Sequence, residues 1–144
     1  MQVSQLIQIW KAAGIWSSGQ EDLVFDQILS DTRKLDSANQ ALFFARRGTL
    51  YDGHNFLNLA EASPNVKALV VETDVSSENF KKPIYRVKDT ALAMALAAKE
   101  FYSDPSSKLF CAAVTGTNGK TTSAFLLRHT LDFLKLPTAI SGTI

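Results

Sequence analysis

The chain has 144 residues, of which 46% are hydrophobic and 20% are charged, and its 15 Lys and Arg residues nearly balance its 14 Asp and Glu residues. This composition is typical of a soluble globular protein and excludes intrinsic disorder as the main state. A formal net charge of +1 argues against nucleic acid or an anionic membrane as the main partner. The length allows one or two domains.

The apolar stretches are short. Residues 42–45 and 109–114 are among the longest, and both fall far below the ~20 residues of a membrane span. In residues 1–16 the first basic side chain, Lys11, follows the apolar positions, which is the wrong order for a secretory signal. We therefore expect a cytoplasmic protein with no membrane partner. Cys111 lies within an apolar run and is expected to be a buried thiol.

The first element in the chain is a predicted amphipathic helix. Its apolar residues follow the spacing of one helical face, with Ser4 as the expected cap and Gly14 as the end; they are Val3, Leu6, Ile7 and Trp10. Between residues 23 and 50 short apolar runs alternate with polar turns, and residues 42–45 are the clearest strand. A turn at 52–53 then leads into a predicted helix over 54–60, packed through Phe56, Leu57 and Ala60.

The next segments predict two buried strands and a longer helix. The strands are 66–71 and 84–87, and the helix runs from a cap at Asp89 or Thr90 to about Tyr102, where Asp104 and Pro105 end it. After this linker we expect a strand over 109–114, a loop over 115–120, a helix over 121–136 and a second strand from 138. The fold class is therefore α/β, with a small domain over 1–105 followed by the start of a second over 106–144.

The loop between the last predicted strand and helix carries the clearest chemical signal. It reads Thr115-Gly116-Thr117-Asn118-Gly119-Lys120-Thr121-Thr122. Such a loop turns backbone N–H groups toward one point at the positive end of a helix, which favours an anion. Lys120 is placed to reach the outer phosphates of ATP, and the Thr121 hydroxyl to ligate Mg²⁺.

The match to the general phosphate-loop pattern is incomplete, because Val114 stands where that pattern has a glycine. The alternative is a glycine-containing turn with an exposed lysine. The order of strand, loop and helix favours the phosphate loop. On the helix that follows, His129 is expected at the surface, and four apolar residues are expected in the core: Phe125, Leu127, Leu131 and Leu134.

The string from Gly116 to Thr122 resembles the nucleotide loop of the Mur ligase superfamily, which includes folylpolyglutamate synthetases. Two earlier stretches resemble the N-terminal domain of MurE and MurF ligases: Asp31-Thr32-Arg33-Lys34 with residues 41–45, and Gly48 with Asp52-Gly53-His54-Asn55-Phe56 and Ala60. The Thr117-Asn118 pair and the closing Gly142-Thr143-Ile144 favour the MurE type. The resemblance covers residues 30–144.

The resemblance implies that residues 1–105 hold the UDP end of a sugar-nucleotide peptide and that residues 106–144 begin the ATP-binding central domain. Carried over by position, the nucleotide contacts are Ser30, Thr32, Thr49, Leu50 and Tyr51. The ATP contacts are Gly116, Thr117, Asn118, Gly119, Lys120, Thr121 and Thr122. Lys120 is the expected catalytic residue, and Thr121 the expected metal ligand. ATP and Mg²⁺ are the expected cofactors.

Several residues near the nucleotide contacts could have a purely structural role instead of binding the ligand. Arg46 and Arg47 could add phosphate contacts or simply form a solvated strand end, and Asp52-Gly53 could be only a turn. Asp31 and Arg33 could pair and fix their loop. Where the family has a Pro-Gly turn this chain has residues 36–40, so the loop near the uridine is expected to differ. Residues 16–25 show no family match.

The implied activity is an ATP-dependent ligation that adds a diamino acid to UDP-N-acetylmuramoyl-L-alanyl-D-glutamate in peptidoglycan synthesis. The expected partners are that UDP-muramoyl dipeptide and the diamino acid. Because the family's remaining metal ligands and its amino-acid pocket lie beyond the residues given, we expect an N-terminal fragment that is inactive alone. The alternatives are a non-catalytic UDP-muramoyl-peptide binding module, a MurF-type ligase and a folylpolyglutamate synthetase.

Overall fold

The computed structural model of the chain describes residues 1–19, 22–76 and 79–142. They form two compact units, Met1–Pro105 and Ser106–Ile144. The first unit contains a mixed sheet covered on both faces by helices, and the second contains one long helix. The predicted roles of these units, binding of UDP by the first and of ATP by the second, stay predictions.

A five-stranded sheet in the order β1-β5-β4-β3-β2 forms the centre of the first unit. Its strands are β1 (Trp16–Ser18), β2 (Gln27–Leu29), β3 (Ala41–Phe44), β4 (Val66–Val71) and β5 (Ile84–Val87). Strands β2, β3, β4 and β5 are parallel, and β1 runs antiparallel to β5. The ends of the four parallel strands therefore lie along one edge of the sheet, which we call the carboxyl edge.

Both faces of the sheet are covered. Helices α1 (Val3–Ala12) and α3 (Thr90–Phe101) pack on one face. A 3-10 helix, Thr32–Ser37, and helix α2 (Leu57–Ala62) pack on the other. A parallel sheet that is buried on both faces has continuous apolar strands rather than alternating ones, and every residue of β3 is buried. This explains why β3 is visible in the sequence as an unbroken apolar run, and why only Lys67 interrupts the apolar residues of β4.

Side chains from alternate positions of the strands fill the two halves of the core. Leu42 and Phe44 of β3 face α1 and α3, where Trp10 donates from Nε1 to the Ala93 carbonyl over 3.1 Å. Ala41 and Phe43 face α2 and the Thr32–Ser37 helix. Trp10, Phe43 and Phe44 are fully buried. Because the whole sheet is anchored in this way, the carboxyl edge is a rigid platform for the loops that follow each strand.

The predicted elements of the first unit are largely confirmed. Strands 66–71 and 84–87 have the predicted bounds, and α3 begins after Asp89, whose side chain accepts from the Leu92 N–H at 2.8 Å. The first helix ends as predicted at Gly14, which has a φ of +71°. The helix predicted over 54–60 is a 3-10 turn, Gly53–Phe56, followed by α2. Sequence periodicity missed β1 and β2, because each has only three residues.

The expected cap at Ser4 was wrong. Ser4 lies inside α1, which begins after Gln2 without a side-chain cap on that residue. Instead, the Asp22 carboxylate accepts from the Ser4 N–H at 2.9 Å. A carboxylate that is distant in sequence thus satisfies an amide of the first turn, where negative charge is favoured.

The second unit differs from the prediction in its strands and in its core. Helix α4 (Lys120–Phe133) is confirmed, but residues 109–114 and 138–142 form no strand ladder with any described residue. A strand requires hydrogen bonds to a neighbouring strand. The predicted core side chains Phe125, Leu127 and Leu134 are exposed, as is Cys111, since one loop and one helix provide no second layer to cover them. The last residues of the predicted second strand, 143 and 144, lie outside the described residues.

Among the described residues, no helix combines the length and the apolar character needed to cross a bilayer.

The end of α2 is held by a lysine from a distant loop. The Lys82 ammonium donates to the carbonyls of Ala60, at 3.0 Å, Ser63, at 2.6 Å, and Glu61. These carbonyls at the carboxyl end of a helix have no partner within the helix. Burial of the ammonium lowers the pKa of Lys82 below its ordinary value. Lys82 therefore secures α2 against the segment that leads into β5.

Replacing Lys82 by Met should lower the free energy of unfolding of the first unit by about 1–3 kcal/mol, because three carbonyls lose a charged donor. Urea denaturation followed by tryptophan fluorescence measures this change. Lys81→Met is the matched control, since Lys81 is exposed and contributes only its backbone N–H, to Glu61. An equal loss in both variants would show that the Lys82 contacts do not stabilise the unit.

Candidate functional site

Polar segments follow each of the parallel strands along the carboxyl edge. Ser30 and Thr32 come after β2, residues 45–53 after β3, Glu72 after β4 and Thr90 after β5. Ligands of open parallel sheets bind outside the carboxyl ends of the strands. The structure therefore brings the two predicted groups of nucleotide contacts, Ser30 with Thr32 and residues 49–51, to neighbouring strand ends.

Asp31 and Arg33 adopt the structural alternative considered for them. The Arg33 guanidinium donates to both Asp31 oxygens, with Nη2 at 2.6 Å from Oδ2, and the Arg33 N–H donates to Oδ1 at 3.0 Å. The side-chain hydrogen bond from Arg33 is the main reason that the pKa of Asp31 falls from 3.8 to about 2. Asp31 thereby caps the Thr32–Ser37 helix and fixes the backbone beside Thr32.

Residues 48–51 form a loop that is closed at its base. Arg47 and Asp52 pair as an antiparallel bridge, and the Gly48 N–H donates to the Tyr51 carbonyl at 2.9 Å. The Arg47 Nε also lies 3.3 Å from Asp52 Oδ2. Above this base, Leu50 is 86% exposed and Tyr51 is 74% exposed. We call residues 48–51 the exposed loop; its shape is set by its base rather than by packing.

Arg46 and Arg47 have different surroundings. Arg47 contacts Asp52 and lies 3.3 Å from Glu72 Oε1, so its guanidinium is shared between two carboxylates. The Arg46 side chain is exposed and has no hydrogen-bond partner or ion pair among the described residues. Of the two, only Arg46 matches the solvated strand end that the sequence suggested.

Two functional candidates were missed or undervalued in the sequence, His54 and Glu72. His54 accepts at Nε2 from the Glu72 N–H at 3.1 Å, so its proton is on Nδ1, which donates to Asp52 Oδ1 at 2.6 Å. Glu72 uses its other oxygen, Oε2, to accept from the Thr90 N–H at 3.1 Å and the Thr90 hydroxyl at 3.0 Å. The available signal for Glu72 was a single carboxylate placed directly after residues 68–71, which form an unbroken apolar run.

We call Arg47, Asp52, His54, Glu72 and Thr90 the edge network. Thr90 is fully buried and the His54 side chain is only 9% exposed, whereas the Arg47 side chain is 58% exposed. Hydrogen bonds from the His54 backbone N–H and ring, with the charge of Arg47, lower the pKa of Asp52 below its ordinary value. The Asp52 carboxylate is therefore charged at neutral pH.

The turn at Gly53 requires a glycine for steric reasons. A Cβ at this position would stand 2.7 Å from both the N and the O of Arg46. The Gly53 N–H donates to that same Arg46 carbonyl at 2.9 Å. Asp52-Gly53 is thus a turn, as one reading of the sequence held, and it is also the point where the exposed loop joins the strand that supports it.

Residues 36–40, where the sequence departs from the family, connect the 3-10 helix that begins at Thr32 to the start of β3. Residues 36 and 37 belong to that helix, and residues 38–40 lead into the amino end of β3. Gln40 has a φ of +40°, and its carbonyl accepts from the Asp26 N–H at 3.2 Å. The expectation that this departure reshapes the nucleotide site stays a prediction.

The second unit presents the loop before α4. Gly116 has a φ of +148° and Gly119 a φ of +77°, conformations that side chains disfavour. Among the described residues, no group accepts a hydrogen bond from the backbone N–H groups of residues 117–122. The Lys120 ammonium lies over the loop and donates to the carbonyls of Gly116, at 2.5 Å, and Thr117, at 3.2 Å.

These features fit the predicted phosphate site. Six successive N–H groups without an acceptor, next to the positive end of a 14-residue helix and a lysine, are suited to an anion. Thr121 in the first turn of α4 is the residue that could ligate Mg²⁺ beside such an anion. In the described part of the chain no three His, Cys, Asp or Glu residues cluster to hold a metal unaided.

A groove of about 500 Å³ lies elsewhere on the first unit, lined by residues that include Leu57, Asn58, Val75 and Phe80. It shares His54 with the edge network but includes neither the exposed loop nor Ser30. Of the predicted nucleotide contacts at the carboxyl edge, Ser30 and Thr32 are half-buried and residues 49–51 are exposed, whereas this groove lies beside α2. We therefore base the candidate site on the strand ends rather than on the groove.

No protein-family model matches the chain. Several curated proteins, however, are similar to it in sequence. A UDP-N-acetylmuramoyl-L-alanyl-D-glutamate--2,6-diaminopimelate ligase of Aquifex aeolicus is 45% identical over 103 residues, which are 72% of this chain and 20% of the relative. The same ligase of Cytophaga hutchinsonii is 35% identical over all 144 residues, 29% of its own length. A UDP-N-acetylmuramyl-tripeptide synthetase 2 of Oceanobacillus iheyensis is 39% identical over 81% of this chain and 23% of the relative.

A solved structure agrees with the predicted α/β class. Crystal structure I of MurF from Acinetobacter baumannii has a TM-score of 0.61 and 26% sequence identity, and the match covers 90% of this chain and 27% of that one. The chain thus spans about a fifth to under a third of the relatives that it matches. Its sequence relatives are of the MurE type and its structural neighbour is a MurF.

Replacing Gly53 by Ala should lower the free energy of unfolding of the first unit by about 1–3 kcal/mol, because the new Cβ must push Arg46 aside. Thermal unfolding by circular dichroism measures the change. Asn55→Ala serves as the control, since Asn55 lies in the same 3-10 helix with an exposed side chain. Equal melting temperatures for wild type and Gly53→Ala would refute the close approach.

The Asp31 carboxyl should titrate at about 2 in an NMR titration of its side-chain carbon. Arg33→Gln should bring that pKa back toward 3.8, because the main hydrogen bond to the carboxylate is lost. A pKa that is lower in the folded state contributes stability that is present above pH 3.8 and is lost as the pH falls through about 2. An Asp31 pKa unchanged by the substitution would contradict the assigned cause.

Proposed function

Because the chain belongs to the Mur ligase family and matches the N-terminal portion of its MurE-type members, we propose that it is part of an ATP-dependent ligase that adds a diamino acid to UDP-N-acetylmuramoyl-L-alanyl-D-glutamate. The names of the relatives favour 2,6-diaminopimelate as that amino acid. The observation on which the proposal rests is the set of backbone N–H groups at residues 117–122, which lack an acceptor among the described residues.

In this proposal the second unit binds ATP with residues 116–122. The free N–H groups orient the phosphates, and Lys120 leaves the carbonyls of Gly116 and Thr117 to neutralise the outer phosphate charge. Bound ATP with Mg²⁺ on Thr121 supplies an activated phosphoryl group for the substrate carboxylate. Catalysis of this kind depends on positioning and on cations, which makes Lys120 the catalytic candidate in this part of the enzyme.

The first unit is proposed to bind the UDP end of the substrate. Ser30 and Thr32 would contact the uridine, and Thr49, Leu50 and Tyr51 the diphosphate side. Support comes from their placement at the ends of the paired strands β2 and β3. The hydroxyls of Thr32 and Thr49 can bond uracil or phosphate oxygens, and the exposed backbone of the loop provides further N–H donors.

A cytoplasmic location belongs to the same proposal, as do the UDP-muramoyl dipeptide and the diamino acid as partners. We propose that this part of the ligase does not catalyse the ligation alone, because the chain spans only 20% to 29% of the length of the relatives that it matches. A binding module without catalytic function would keep the UDP site but would not need the phosphate loop before α4. The free N–H groups of that loop favour the ligase over the module.

Isothermal titration of Mg·ATP into the chain should show binding that Lys120→Met weakens at least tenfold, as expected for the loss of a charged phosphate contact. Lys108→Met is the control, since Lys108 is exposed and lies outside the loop. A parallel titration with UDP-N-acetylmuramoyl-L-alanyl-D-glutamate should be weakened by Thr32→Ala and Thr49→Ala, and not by Lys120→Met.

The two titrations distinguish a ligase from a non-catalytic binding module. Binding of the UDP-sugar peptide without any binding of Mg·ATP would favour the non-catalytic module. Affinity for Mg·ATP that is the same in wild type and Lys120→Met would contradict the phosphate site.

A further inference from the structure

The edge network connects three elements that lie apart in the sequence. Glu72, directly after β4, contacts Arg47 at the base of the exposed loop through Oε1 and Thr90 at the start of α3 through Oε2. Its side chain is 17% exposed, so water competes little for these bonds. The base of the loop is thereby joined to the end of β4 and to Thr90, the fully buried first residue of α3.

His54 fixes the other side of the loop. It holds Asp52 through Nδ1 at 2.6 Å and is itself held by the Glu72 N–H at 3.1 Å. Asp52 in turn lies 3.3 Å from Arg47 Nε. The two residues that flank the exposed loop, Arg47 and Asp52, are thus both connected to Glu72, one through its side chain and one through its backbone.

Beyond the Arg47–Asp52 bridge at its base, the exposed loop is held by little packing among the described residues. Leu50 and Tyr51 are 86% and 74% exposed, and within the loop the Gly48 N–H bond to the Tyr51 carbonyl is the internal hydrogen bond. A loop of this kind must lose conformational freedom to bind a ligand, and this loss weakens binding unless the loop is already ordered. The edge network can therefore raise the affinity for a ligand by ordering the loop before the ligand binds.

We infer that Glu72 and Arg47 are positioning residues that hold the exposed loop ready for a nucleoside diphosphate, and that neither contacts the nucleotide. The inference rests on the proposed function for the identity of the ligand. It differs from the sequence-based suggestion that Arg47 contacts phosphate, since its guanidinium lies between the carboxylates of Asp52 and Glu72. It also gives roles to two residues, Glu72 and Thr90, that belong to none of the motifs on which the family resemblance rests.

Glu72→Gln is the most informative variant. Its amide oxygen can still accept from the N–H and hydroxyl of Thr90, while the charge that attracts Arg47 is lost and an NH₂ group faces the guanidinium. We expect the melting temperature to change little and the affinity for UDP to fall about tenfold, because the loop must then be ordered by the ligand. Affinity for uridine, which lacks the diphosphate, should stay the same.

A double-mutant cycle tests whether Arg47 acts through Glu72. Arg47→Met should weaken UDP binding as much as Glu72→Gln, and the double variant should be no weaker than either single one. Arg47→Lys should recover part of the loss. Arg86→Met is the matched control, because Arg86 also forms a partly exposed ion pair, with Asp74 at 3.0 Å, in the same unit. Additive losses would mean that Arg47 contacts the diphosphate directly, which would overturn the inference.

Hydrogen exchange of the Gly48 N–H gives a second readout that needs no nucleotide. In Glu72→Gln and Arg47→Met this amide should exchange about tenfold faster than in wild type, while the amides of β4 stay unchanged. If wild type does not bind UDP but these rates change as expected, the proposed function fails and the positioning role stands. If wild type binds UDP, and neither affinity nor exchange changes in the variants, the positioning role is refuted and the proposed function stands.

Discussion

The parallel alignment of β2, β3 and β4, buried on both faces, is the constraint on which the first unit depends. It places the segments after these strands side by side at one edge, although Ser30, Arg46 and Glu72 are 16 to 42 positions apart along the chain. Helices cover both faces, so the polar groups of these segments must be satisfied at the edge itself. The edge network does this with charged side chains.

The two units present different kinds of donor for anionic ligands. In the second unit the donors are the backbone N–H groups of residues 117–122, for which no described residue provides an acceptor. Two glycines with positive φ, Gly116 and Gly119, give the loop this conformation. In the first unit the cationic group nearest the exposed loop, Arg47, is already neutralised by two carboxylates. We therefore assign phosphate charge compensation to Lys120 and only shape to Arg47. A ligase that handles a nucleoside triphosphate and a UDP-sugar needs both functions.

Much of the fold was readable from the sequence, for identifiable reasons. Strands 66–71 and 84–87 are bounded by turns, and α3 begins at an aspartate cap, so local signals were sufficient. The cap of α1 was not readable because Asp22 reaches it from another part of the chain. The core assigned to α4 also failed, since amphipathic spacing predicts a face that can be buried and not the layer that covers it.

The candidate site was predicted in part. The loop residues 116–122 were identified by the order of strand, loop and helix, which depends only on neighbouring residues. His54 stood within a recognised motif, but its contacts to Asp52 and Glu72 depend on where β3 and β4 end relative to each other. The periodicity of apolar residues along the sequence does not show which strand ends lie next to each other in the sheet.

The most direct test of the account is an NMR titration that follows the backbone amides of the first unit while UDP is added. The account predicts shifts confined to the carboxyl edge, at Thr32 and at residues 48–51, with smaller shifts at Glu72. Shifts concentrated at the opposite edge, near Asn39, Asn65 or Lys82, or in the groove beside α2, would contradict it.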